Sequence, residues 1–162
     1  MIQHQMQQLW QKHADNTTRE SIVDTLVLAL GMRTVFTEDQ LLAAIAFLMD
    51  ICQVEDDSLV LDMLRGSVER VNGIRREDAI THIGQRLGHL QLKTRETVML
   101  MAIIYFHFSA PDDERPLMKD SVLPHISTAL GVTHAIPALL TGLRRELNQP
   151  QAAAKRPKRI IY

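Results

Sequence analysis

Apolar side chains recur at three- and four-residue intervals along almost all of this 162-residue chain, and no segment alternates convincingly at period two. A helix has 3.6 residues per turn, so such spacing gathers apolar groups on one face; a strand would need strict alternation. The pattern therefore predicts an all-α protein, a compact bundle of seven or eight helices. Composition agrees. Hydrophobic residues make up 46% of the chain but aromatics only 4%, with eight Met. A sandwich or barrel would be richer in Val, Thr, Tyr and Phe.

Punctuation divides the pattern into elements. Residues 1–13 are Gln-rich and carry Ile2, Met6, Leu9 and Trp10, which reads as a lid helix on the body. Thr17-x-x-Glu20 is a capping box for a helix with Ile22, Val23, Leu26, Val27 and Leu30, stopped by Gly31. Thr37-x-x-Gln40 opens the next, with Leu41, Leu42, Ile45, Leu48, Met49 and Cys52 as its stripe. Glu55-Asp56-Asp57 begins a helix through Val71 that breaks at Asn72-Gly73, and Glu77 and Asp78 start another. Thr94 is placed as the cap of a helix containing Val98–Phe108, which is apolar all round and therefore central. Asp112-Asp113-Glu114 leads a helix that ends at Gly131 and is kinked or broken by Pro124. Thr133 caps the last one, through Leu147. The organisation expected is a lid segment at 1–16, a helical domain at 17–148, and a linker with a flexible tail at 149–162.

That tail is the least generic stretch. Lys155, Arg156, Lys158 and Arg159 place four cations in five positions, and Ile160, Ile161 and Tyr162 follow at once. Residues 1–150 hold 14 of the 18 Lys+Arg and all 19 acids, a balance of −5 that the tail brings to −1. Basic residues could steer a peptide to an acidic surface while the apolar ones enter a pocket or pair with a strand edge. The partner expected is a protein with an acidic or apolar docking surface. The plain alternative is a disordered solubilising tail. Nucleic acid or an anionic membrane would use the cations alone, through counterion release, and the acidic body opposes that.

The remaining candidates each have a bland counterpart. The acidic triplets could offer oxygen ligands to a divalent cation, or could simply cap helix N-termini and complement the dipole. His82 and His89 lie seven apart, about 10 Å along a helix, too far to share one zinc ion. His125 and His134 flank a helix end, and His107 could sit near Asp112 or Glu114 or bond a backbone carbonyl. Cys52, the single cysteine, falls on an apolar stripe and reads as a small buried hydrophobe. Nucleotide-binding and catalytic motifs such as Gly-x-x-x-x-Gly-Lys-Ser/Thr or Gly-x-Ser-x-Gly are absent, so the expectation is a non-enzyme without cofactor. The start of the chain lacks a signal-peptide pattern, and the longest apolar run, 98–108, is too short for a membrane span. A cytoplasmic protein is expected, with self-association through Met-rich surfaces as one option.

A strongly apolar helix (41–52), an acidic triplet (55–57) and an amphipathic helix form a series that returns at 98–108, 112–114 and 117–130. The series reads either as two related halves or as helical hairpins that mimic each other. Over roughly residues 19–147 it resembles the TerB-like family of tellurite-resistance proteins. That resemblance implies an all-α domain, a part in assembling stress-response complexes, and divalent-metal binding, here at Asp56, Asp57, Asp112, Asp113 and Glu114. The family's acidic turn usually carries Asp-Gly, and glycine is missing from both triplets here. The expectations for function are thus an adaptor docking through its tail, a metal-binding stress protein, or a nucleic-acid accessory protein.

Overall fold

A computed structural model describes residues 2–29, 38–109 and 122–147. Among them are eight α-helices, one 3-10 turn and no strand. The helices are α1 (Ile2–Lys12), α2 (Asn16–Ala29), α3 (Glu38–Cys52), α4 (Asp57–Asn72), α5 (Arg76–Leu87), α6 (Leu92–Ser109), α7 (Leu123–Leu130) and α8 (Ile136–Leu147), with the turn at Thr133–Ala135. The all-α bundle follows from the periodicity. No single described helix is long and apolar enough to cross a membrane.

Two helices form the centre. In α6 every residue from Val98 to Phe106 is buried, as an element apolar all round requires. The second, α2, buries all of residues 21–29 and packs against α4, α5 and α6. Two of its buried hydroxyls are satisfied within the helix: Ser21 Oγ donates to Thr17 O at 2.8 Å and Thr25 Oγ1 to Ser21 O at 2.7 Å. Such back-bonding lets hydroxyls enter a dry core. On the outside, α3 packs on α1, α4 and α6, while α7 packs on α5 and α6. Met6, Leu9 and Trp10 bury the inner face of α1. The first and last helices are tied where Ile2 N donates to Glu146 Oε1 at 3.0 Å.

Several helix ends differ from the sequence expectations. The cap of α2 is Asp15, not Thr17: its carboxylate accepts from Thr18 N at 2.9 Å and Thr18 Oγ1 at 2.6 Å. An anion also suits the positive end of the helix, and the Thr18 bonds hold the Asp15 pKa below the ordinary carboxylate value. α6 begins at Leu92, so Thr94 lies inside its first turn. Pro124 stands in the opening turn of α7, where its missing N–H costs nothing, and the stretch before Val122 that would show a kink or break lies outside the described residues. Thr133 starts the 3-10 turn rather than α8, and its Oγ1 lies 3.2 Å from Ser127 Oγ. Gly31 and Thr37 are outside the described residues.

Other stops match their residues. Gly131 ends α7 at φ 70°, with its N–H on Thr128 O and that of Val132 on Ser127 O, a Schellman closure. Arg95 reaches the same end and donates to Leu130 O at 2.7 Å. α5 and α7 approach so closely that a Cβ at Gly84 would stand 2.9 Å from Ala129 O.

Among the described residues, one buried side-chain group has no partner. The Tyr105 hydroxyl sits beneath the surface with no hydrogen bond, its ring tilted against Phe47 with centroids 5.6 Å apart. Burial pushes its pKa up, so the phenol stays neutral. An unmet buried hydroxyl costs roughly 1–3 kcal/mol, and deleting it sacrifices few packing contacts. Tyr105→Phe should therefore raise stability by about 1 kcal/mol. The urea midpoint reads it, and a lower midpoint in the variant would show that the hydroxyl has a favourable contact.

Candidate functional site

Three helices meet around one cleft of about 190 Å3. α2 turns Ser21, Asp24 and Leu28 toward it, at three- and four-residue spacing. α4 supplies Arg70 and Val71, and Ile74 follows in the connection to α5. α5 contributes Ala79, His82, Ile83 and Arg86, again one helical face. Leu28, Val71, Ala79 and Ile83 are buried and form an apolar floor, while His82, Arg86 and Ile74 are exposed at the mouth.

Asp24 is the group that organises this place. Only 7% of it is exposed. Ser67 Oγ donates to its Oδ1 at 2.6 Å, Arg70 Nη2 donates to the same oxygen at 2.8 Å, and Arg70 Nε reaches Oδ2 at 3.3 Å. A buried carboxylate needs such partners, because an uncompensated charge in the interior is costly. Arg70 also lies 4.0 Å from Glu20. Burial works against its charge, yet the bonds to Asp24 and the attraction of Asp24 and Glu20 hold its pKa above the usual arginine value. The network clamps α2 to α4. Sequence reasoning missed it, although one signal was present: a lone acid inside the apolar run Ile22-Val23-Asp24-Thr25-Leu26-Val27.

A second, wider recess of about 580 Å3 lies where α1 meets the end of α3. His4, Gln7, Gln8, Gln11, Lys12 and Gln53 line it. With only polar side chains there, a ligand would exchange water hydrogen bonds for protein ones and gain little.

Of the acidic and tail candidates named from sequence, the described residues include only Asp56 and Asp57. Asp56 is the N-cap of α4: its Oδ1 accepts from Ser58 N at 2.9 Å and Ser58 Oγ at 2.7 Å, and these bonds lower its pKa. Asp57 is in the first turn of that helix, beside the exposed Glu55. Among the described residues no three His, Cys, Asp or Glu side chains gather as a metal site. Asp112, Asp113 and Glu114 lie outside the described residues, as do the side chain of His107 and the whole of Lys155, Arg156, Lys158, Arg159, Ile160, Ile161 and Tyr162. His82 stands at the mouth of the cleft, whereas His89, His125 and His134 are exposed elsewhere. Cys52 is buried, and burial pushes its thiol up to about 11, so little thiolate forms at neutral pH. No protein-family model, curated protein or solved structure matches this chain.

Proposed function

We propose that this chain is a non-enzymatic helical adaptor whose C-terminal segment docks a partner protein with an acidic or apolar surface. The observation that carries the reading is the order of that segment: Lys155, Arg156, Lys158 and Arg159, then Ile160, Ile161 and Tyr162. Charge attracts over a Debye length and accelerates encounter, while apolar side chains supply the short-range, desolvated contact that slows release. The described residues form a helical body with α1 and α8 joined through Ile2 and Glu146.

The test is affinity capture from native lysate with three baits: the full chain, a chain ending at Gln151, and a full chain with Ile160, Ile161 and Tyr162 replaced by Ala. A protein held by the first bait alone is the expected result. Capture that survives the alanine replacements but falls steeply with salt would identify nucleic acid or another polyanion instead. Equal capture by all three baits would refute docking through the tail.

A further inference from the structure

We infer that the cleft between α2, α4 and α5 binds a small monocarboxylate carried on a single apolar group. Size sets the first limit. A cavity of about 150 Å3 accommodates a benzene ring. The cleft, at about 190 Å3, has room for one ring or branched aliphatic group with a carboxylate beside it. Nucleotides and most cofactors need several hundred Å3.

Chemistry sets the second limit. The floor of Leu28, Val71, Ala79 and Ile83 removes apolar surface from water. The mouth is rich in donors. Arg70 is already engaged by Asp24, but Arg86 makes no ion pair or hydrogen bond among the described residues. Its guanidinium fork matches a carboxylate in bidentate fashion. His82 is one turn earlier on the same face of α5 and adds a ring N–H. Asp24, on the α2 side, limits how much negative charge the site accepts. One carboxylate facing Arg86 is favourable, whereas a phosphate dianion would bring a second charge toward Asp24 and leave the apolar floor uncovered. An apolar body with one negative charge is the ligand that satisfies floor and mouth together.

The probes are phenylacetate, its uncharged isostere phenylacetamide, and inorganic phosphate, each titrated into the full chain and followed by amide chemical shifts. Phenylacetate, with about ten non-hydrogen atoms, should bind with a Kd on the order of a millimolar. Its shifts should cluster on α2, α4 and α5. Phenylacetamide should bind about tenfold more weakly, the scale of one lost charged hydrogen bond. In Arg86→Met, which keeps the apolar stem of an exposed side chain, the acid should lose its advantage over the amide. Retained dispersion in the variant's spectrum shows that the fold is intact. Equal binding of acid and amide to the parent chain would overturn the inference. Shifts spread away from the cleft, unchanged acid binding in Arg86→Met, or displacement of phenylacetate by equimolar phosphate would do the same.

Discussion

Replacing Asp24 by Ala should lower the stability of this protein by about 3 kcal/mol, near the bottom of the range for breaking a buried ion pair. The lower end applies because the two partners differ in burial: the Asp24 side chain is 9% exposed and that of Arg70 34%. With Asp24 gone, Ser67 Oγ loses its acceptor in a fully buried position, while the guanidinium keeps some water and Glu20 at 4.0 Å. Arg70→Met removes the other partner and strands the more deeply buried group. It should therefore be at least as damaging. A leucine at position 24 combined with Met at 70 takes both charges out of the core. This double variant should recover much of the stability, since apolar replacements of a whole buried pair are often neutral. Urea unfolding of the parent, the two single variants Asp24→Leu and Arg70→Met, and the double gives a coupling energy. About 2 kcal/mol or more is expected. Strict additivity of the single effects would mean that Asp24 and Arg70 do not act as a unit, and the clamp between α2 and α4 would have to lie in their apolar contacts instead.

The parts of the fold legible from sequence are those where one local force decides. α6 is apolar on every side, and only a central position satisfies that. α4 opens on Asp56 because an acid cap acts within one turn. Where several residues compete for one role, the local rule loses its power. Asp15, Thr17 and Thr18 can all cap, and the anion prevails because it accepts twice from Thr18. Pro124 is the same residue whether it kinks a helix or stands in an opening turn, and its neighbours in the chain do not reveal which. The cleft was illegible for a different reason. Its organising contact joins positions 43 and 46 residues apart, Asp24 with Ser67 and Arg70, and helical periodicity carries no information across that separation. His82 could be named from its type, but only the packing of α5 against α2 gives it a cavity to face.

Trp10→Ala should detach α1 from the body before the rest of the protein unfolds. Trp10 is 4% exposed, and with Met6 and Leu9 it forms the whole buried face of α1. Its loss should cost about 3 kcal/mol, the lower end of the range for truncating a large aromatic, because a terminal helix can settle partly into the space. Two further links act at the same place. The Arg19 guanidinium lies over the indole, 4.8 Å from the ring centroid, and it donates to Trp10 O at 2.8 Å and His13 O at 3.0 Å. A cation on the last carbonyls of a helix complements its dipole, so Arg19 holds α1 by its backbone as well as by the ring. Only the ring contact disappears in Trp10→Ala; the backbone bonds remain available. At one kcal/mol for every fivefold, the expected loss opens α1 roughly a hundredfold more often. Hydrogen exchange at amides 6–12 should accelerate by that factor, while amides 99–106 of α6, protected by α2 as well as α1, should change much less. Arg19→Met should give the same pattern at smaller amplitude. If α1 and α6 accelerate together by equal factors, α1 is part of the global cooperative unit and not a separately opening element. Equal exchange in variant and parent would mean that Trp10 contributes little to holding the helix, and its hold would fall to Met6, Leu9 and the bond between Ile2 and Glu146.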